Sequence, residues 1–390
     1  MTIAFLFPGQ GAQKPGMGEP WVEHESWELV EEASEAAGRD VAHLLLHADA
    51  AELTQTRNSQ LATYVLSLVV LDAVEMLGLD PIAVAGHSLG EYTALTAAGG
   101  LSFADGVRLV VERGEAMQVA AEEHPGTMSA VLGLDDDKVE IACQRAAADV
   151  WAANFNAPGN VVIAGDADAI AVAGGIAKEL GAKRLLSIAV GGAFHTPFMA
   201  PARDRLKKAL GDVALLELDV PVVGNVDATP HDDISEWPNL LIAQLCSPVR
   251  WRQSLHTLAE TGVSTFVEIG PGTVLSGTVK RTLDGSAGLS VGTPDDLDTL
   301  LERIEGEAAA AHHEGEHLFM TERVVVSPAA GLFEPVPELG AGQAVAPGQL
   351  LGTVGDAEVR SPFAGRIEGV LAHIGERVMS RQPIAWLRTA

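Results

Sequence analysis

Ser88 is the residue whose surroundings most favour chemistry. It lies in Gly86-His87-Ser88-Leu89-Gly90-Glu91, a G-x-S-x-G pattern. An apolar run, Ile82 to Ala85, leads in, and a helix-compatible run, Glu91 to Ala98, leads out. Strand, sharp turn and helix in that order are the setting of a nucleophile elbow. Small residues at Gly86 and Gly90 let the backbone turn tightly with the serine at its apex. A serine there stands at a helix N-terminus, where free N–H groups and the positive dipole end stabilise an oxyanion. His195 follows the pair Gly191-Gly192 and precedes Pro197, a loop-to-helix junction of the kind where catalytic residues collect. Arg113 precedes Gly114 inside a periodic helix, which reads either as a point of close ligand approach or as a surface arginine paired with Glu112 or Glu115. Gln10 and Gln13 occupy a loop at the end of the first strand and can each offer a side-chain N–H to a substrate oxygen.

The elements that must position these residues follow from the pattern. Ile3 to Phe7 reads as a buried strand, and Asn58 to Leu77 as a long apolar helix. Phe103 to Ala121 reads as a periodic helix with Asp105 in its first turn. From Thr127 the order becomes β-α-β-β-α-β, ending with Arg184 to Val190, which predicts a ferredoxin-like insert at about 125–190. Asn154 to Asn160 is expected to form a loop beside the resulting cleft. A last helix is expected over Pro294 to Ile304. The Ala-, His-, Glu- and Gly-rich stretch 305–319 reads as a linker, with a tether the better reading of His312, His313 and His317 than a metal site.

The composition narrows the class. The chain has 390 residues, is 47% apolar and contains no run long enough to span a bilayer. The N-terminus lacks a basic n-region and soon meets Pro8-Gly9, so it is not expected to be a signal peptide. Two cysteines, Cys143 and Cys246, fit a reducing cytoplasm and offer no metal cluster. A net charge of −28 with seven lysines argues against nucleic acid as a partner. The same acidity suits a high-salt cytoplasm, which predicts higher stability and activity in molar salt.

Pro8-Gly9-Gln10-Gly11, Gly86 to Glu91, Arg113-Gly114, Phe194-His195-Thr196-Pro197, Gln244-Leu245, Ser247-Pro248-Val249 and Glu268 to Gly272 occur in this order. With these motifs the chain to about residue 285 resembles the malonyl-CoA:acyl carrier protein transacylases. The resemblance implies an α/β-hydrolase-like core, with the ferredoxin-like subdomain inserted, over residues 1–304. It implies that Ser88 accepts the acyl group and that His195 is its general base. It also implies that a backbone carbonyl at Gln244 orients the histidine, and that the Leu89 N–H and Gln10 hold the oxyanion. Arg113 is implied to pair with the malonyl carboxylate, Asn156 to lie on the substrate-side loop, and Phe194 to exclude an α-methyl group. Malonyl-CoA and acyl carrier protein are the implied partners, in fatty-acid or polyketide synthesis, with no bound cofactor and no metal. A serine hydrolase or thioesterase using the same Ser88–His195 pair is the alternative, and a non-catalytic scaffold a third reading.

Residues 320–390 change character, with short β-type runs between Gly and Pro. Val326-Ser327-Pro328-Ala329-Ala330-Gly331 is echoed by Arg360-Ser361-Pro362-Phe363-Ala364-Gly365. Two such halves predict a small all-β flattened sandwich, and the pattern resembles a biotinyl/lipoyl carrier domain. Carrier domains bear a modified lysine on the hairpin between halves, here near Gly352 to Asp356. No lysine follows Lys280, so neither biotin nor lipoate attachment is expected, and the module reads as one for docking, tethering or oligomerisation.

Overall fold

The computed structural model describes residues 2–311, 322–337, 339–355, 357–379 and 382–388. The chain divides into two units, Met1–Ala308 and Ala309–Ala390. Strands of the first unit, in chain order, are β1 (Ile3–Phe7), β2 (Ala83–Gly86), β3 (Thr127–Leu132), β4 (Val150–Ala157) and β5 (Asn160–Gly165). They continue with β6 (Arg184–Ile188), β7 (Val222–Val223), β8 (Pro230–His231), β9 (Thr265–Ile269) and β10 (Ala287–Val291).

The main sheet has the order β10-β9-β1-β2-β7-β8. All its pairings are parallel except β7 with β8. Every residue of β1, β2 and β9 is buried, as a sheet covered on both faces requires of a continuous apolar run. Helix Thr56–Glu75 is buried along most of its length, including the polar Asn58, Ser59 and Gln60. Helix Phe103–Glu123 packs beside it. Helix Trp251–Glu260 and strand β10 had no counterpart in the sequence pattern, and β7 is only two residues long.

The inserted region runs β3, helix Asp136–Ala146, β4, β5, helix Ala167–Glu179, β6. Its sheet is antiparallel, ordered β4-β5-β3-β6. Asn156 does not lie in a loop, as the sequence had suggested: β4 continues to Ala157. Burial alternates from Ala153 to Ala157, a two-residue period that sustains a strand. The turn narrows to Pro158-Gly159, with Gly159 at φ 66°. Helix Asp295–Ala311 extends into the stretch expected to be a linker as far as Ala311, because Glu305, Glu307 and Ala308 to Ala311 are strong helix formers. His312, His313 and His317 lie outside the described residues.

The second unit is all-β. Its strands are β11 (Glu322–Val326), β12 (Gly331–Pro335), β13 (Ala344–Val345), β14 (Leu350–Val354), β15 (Ala357–Arg360), β16 (Gly365–Val370), β17 (Arg377–Val378) and β18 (Pro383–Arg388). They form two four-stranded sheets, β11-β18-β16-β13 and β15-β14-β12-β17. The core contains Val325, Phe333, Leu351, Ile367, Ile384 and Leu387. The sequence repeat recurs in the hydrogen bonds. Ser327 Oγ donates to the Ala329 carbonyl and Ser361 Oγ to that of Phe363, at 2.6 and 2.8 Å. Gly342 N–H bonds Ile367 O, and Gly375 N–H bonds Phe333 O. The β14–β15 hairpin turns at Gly355, with Val354 paired to Ala357.

Among the described residues, no helix is long and apolar enough to cross a membrane, and no group of three or more His, Cys, Asp or Glu is placed to hold a metal ion.

Candidate active site

Ser88 caps the turn between β2 and helix Gly90–Ala97 with φ 53°. A left-handed non-glycine backbone costs on the order of 1–3 kcal/mol and persists only where the surroundings enforce it. The flanking glycines explain how. A Cβ on Gly86 would stand 1.8 Å from the Gly90 carbonyl oxygen, and one on Gly90 2.1 Å from that of Phe7. No side chain fits at either position, so strand, turn and helix close directly on one another. Asn225, just beyond β7, locks the turn: its Oδ1 accepts the Ser88 N–H at 2.7 Å and its Nδ2 donates to Gly86 O at 2.7 Å.

His195 also has a positive φ, 60°. Its Nε2 lies 2.7 Å from Ser88 Oγ, and its Nδ1 2.8 Å from the main-chain oxygen of Gln244. A carbonyl only accepts, so Nδ1 carries the proton and Nε2 presents its lone pair to the serine hydroxyl. Burial, then the charge of Arg113, push the imidazole down to about 3, so it is neutral at ordinary pH.

Arg113 is buried at 1% exposure, which removes the surface ion-pair reading. Its Nη1 donates to Gln60 Oε1 at 2.6 Å, and its Nη2 to Gln244 Oε1 at 2.8 Å and Ser88 Oγ at 3.3 Å. The guanidinium lies 5.1 Å from the Tyr92 ring centroid. Gln244 Nε2 in turn donates to Ser88 O and to Glu91 Oε2, at 2.8 and 2.6 Å. Glu91 is wholly buried, and burial pushes its carboxyl up to about 7.

A cavity of about 230 Å³ opens above these groups. Ser88, Arg113, His195, Phe194, Gln10 and Asn156 all line it, with Val274, Leu275 and Arg281 on another wall. Gln10 Nε2 is buried without a partner, as are Asn154 Oδ1 and Asn160 Oδ1, which also border the cavity. Asn156 Oδ1 accepts instead from His87 Nε2 at 2.9 Å. Leu89 and Gln244 lie beneath the wall, fully buried. Leu89 is the N-cap of its helix, where N–H groups have no helical acceptor.

The fold brings Ser88, His195, Arg113, Gln10, Phe194 and Asn156 to one cavity, but not Gln13, whose Oε1 accepts the Gly11 N–H at 2.7 Å; the residues that bind the site together are less visible in the sequence. Gln60, Glu91 and Asn225 were given no role. Polar residues at Asn58 to Gln60 opening an otherwise apolar helix were one signal. Asn225 at the carboxyl end of a parallel strand was another.

Known proteins resemble the chain over its first four-fifths. A family model described as the acyl transferase domain matches residues 4–317. The malonyl CoA-acyl carrier protein transacylase of Bacillus subtilis is 41% identical over 310 residues, covering 78% of this chain and 98% of that protein. That of Escherichia coli is 40% identical over 309 residues, covering 77% and 99%. Among solved structures, the acyl carrier protein S-malonyltransferase of Vibrio cholerae superposes with a TM-score of 0.74 at 38% identity, covering 77% of this chain and all of that one. A malonyl-transacylase solved in complex with a type II PKS acyl-carrier protein gives 0.75 at 37% identity, covering 78% and 100%. With the acyl transferase model spanning most of its length, and relatives matched almost end to end at about 40% identity, the chain belongs to the malonyl CoA-acyl carrier protein transacylase family.

Proposed function

We propose that this protein transfers the malonyl group from malonyl-CoA to the phosphopantetheine thiol of an acyl carrier protein, through a malonyl ester on Ser88. The observation that carries the reading is the meeting of hydroxyl, imidazole and guanidinium at one cavity: His195 Nε2 at 2.7 Å and Arg113 Nη2 at 3.3 Å from Ser88 Oγ. In the first half-reaction Ser88 Oγ attacks the thioester carbon while its proton passes to His195 Nε2. The Leu89 N–H and Gln10 Nε2 receive the oxyanion. The intermediate collapses by breaking the C–S bond, and the CoA sulfur leaves with the proton from His195. The carrier thiol then repeats these steps in reverse order on the ester. The chemistry calls for no cofactor.

Arg113 contributes more than a handle for the substrate carboxylate. Its charge is one of the reasons the imidazole is held acidic. A malonyl carboxylate paired with the guanidinium offsets that charge, so the acid substrate relieves the smaller of the two main effects that depress the imidazole, burial being the larger. Neutral acyl groups do not. Phe194, 5% exposed and beside His195, fills the space an α-methyl would occupy.

In this reading residues 1–304 form an α/β-hydrolase-like acyltransferase domain with a ferredoxin-like subdomain, and residues 320–390 a biotinyl/lipoyl-like module without the carrier lysine, serving docking or tethering. The exposed Arg203, Lys207 and Lys208 of helix Ala202–Gly211 form the basic face for an acidic carrier protein, Arg205 being paired with Glu112 at 2.7 Å. The pathway is fatty-acid or polyketide synthesis in a reducing cytoplasm. The test is intact-protein mass spectrometry. Malonyl-CoA should add one malonyl group, absent from Ser88→Ala, and holo acyl carrier protein should remove it. Discharge to water alone would make the protein a hydrolase, and no adduct would end the proposal.

A further inference from the structure

The bonds that hold Ser88, His195 and Arg113 converge, through Asn225 and Gln244, on a carboxylate that the transfer mechanism does not use. Glu91 follows Ser88 by three residues, one helical turn, so the elbow that presents the serine to the cavity directs this side chain inward beneath it. Each of its two oxygens has a donor. Oε1 accepts the main-chain N–H of Asn225 at 2.6 Å, and Oε2 the side-chain N–H of Gln244 at 2.6 Å. Asn225 fixes the Ser88 turn through two bonds of 2.7 Å. Gln244 provides the main-chain acceptor of His195 and, through Oε1, a seat for Arg113.

The orientation of the Gln244 amide depends on this arrangement. Its oxygen faces the guanidinium and its nitrogen faces Glu91 and Ser88 O. Rotated by half a turn, it would set its N–H groups against the cation and its oxygen against a carboxylate and a carbonyl. Cation and carboxylate thus hold one orientation between them, and bonds to ionised groups are the stronger kind. A carboxylate is the side chain that offers two acceptors and no donor to two fixed N–H groups. Burying it is costly, and its raised pKa shows that cost remaining despite both donors and Arg113, with Asp227 adding to it. An acid retained at 0% exposure therefore calls for a reason beyond packing.

We infer that Glu91 is a positioning residue that sets malonyl selectivity by fixing the Gln244 amide, and through it the Arg113 guanidinium, relative to Ser88. The inference rests on the malonyl-transfer reading, and the two fail separately. The wild-type chain tests that reading by forming the malonyl adduct, whereas Glu91 is judged only against the wild type.

The experiment compares Glu91→Gln with wild type for Ser88 acylation by malonyl-CoA and by acetyl-CoA. Glutamine keeps the shape but turns an N–H toward one of the two donors. Loss of a bond to a charged group corresponds to roughly 10- to 100-fold, and the malonyl kcat/KM should fall by that factor. The acetyl value should fall much less, so that selectivity narrows. Adding Glu91→Gln to Gln244→Ala should cost no more than about twofold beyond Gln244→Ala alone, since contacting residues act non-additively. Equal losses for both thioesters, or full additivity in the double variant, would overturn the inference. If Glu91→Gln does not fold, Glu91→Asp carries the same comparison, because it keeps the charge but falls short of Gln244.

Discussion

Ser88 and Gln244 are hydrogen-bonded across 156 residues of sequence, whereas Ser327 and Ser361 each bond the backbone two residues on. The two units thus use buried polar groups in opposite ways. In the first, distant side chains are bound into one network that no local segment could form. In the second, one serine in each half makes the same short-range bond to its own backbone. Charge divides likewise. Residues 320–390 hold seven acidic side chains and six arginines, so nearly all of the −28 lies before them. A long-range network makes a site sensitive to single changes, and a local repeat makes a unit tolerant of them.

The largest expected effect is at the elbow. Gly86→Ala should lose more than about 4 kcal/mol of stability or fail to fold, because the added Cβ would stand 1.8 Å from the backbone oxygen of Gly90, which cannot swing aside as a side chain could. Gly340→Ala, where an added Cβ meets nothing within 4 Å, should be silent in the same urea titration. Comparable losses at both positions would break the contrast.

The site network should also leave its mark on stability against pH. His195 titrates near 3 when folded against 6.5 otherwise. Between those values the unfolded chain binds a proton that the site refuses, so stability falls as pH falls. Glu91 works the other way. With its pKa near 7 instead of 4.5, the folded carboxyl keeps a proton that the unfolded chain releases, and stability falls as pH rises from 4.5 to 7. The two oppose each other between 4.5 and 6.5. His195→Gln should therefore reduce the acid sensitivity below 6.5, and Glu91→Gln the decline toward 7, each by on the order of 1 kcal/mol or more. Urea midpoints across this range measure both.

The smallest effect belongs to the repeat. Ser327→Ala and Ser361→Ala should each cost about 1 kcal/mol, equally and additively. Calorimetry on both single variants and the double would expose any coupling.

This contrast also explains what was legible in the sequence. Gly86, Ser88 and Gly90 announce themselves because geometry leaves no other residues possible, and the Ser-Pro repeat does so because it is local. Asn156 was misplaced because a hairpin rich in Asn, Pro and Gly reads as a loop until pairing with β5 extends it. Glu91, Gln60 and Asn225 escaped notice because their partners lie 134, 53 and 139 residues away, and no local pattern encodes such distances. Residues 305–311 read as tether although they are helical, because alanine-rich helix and flexible tether share a composition.

The acceptor that holds His195 Nδ1 is a peptide oxygen of residue 244, and every amino acid has one. A codon change there can unseat the guanidinium, yet it leaves the imidazole's tautomer untouched. Drift at this position can thus alter which acyl groups are taken while the general base keeps its acceptor.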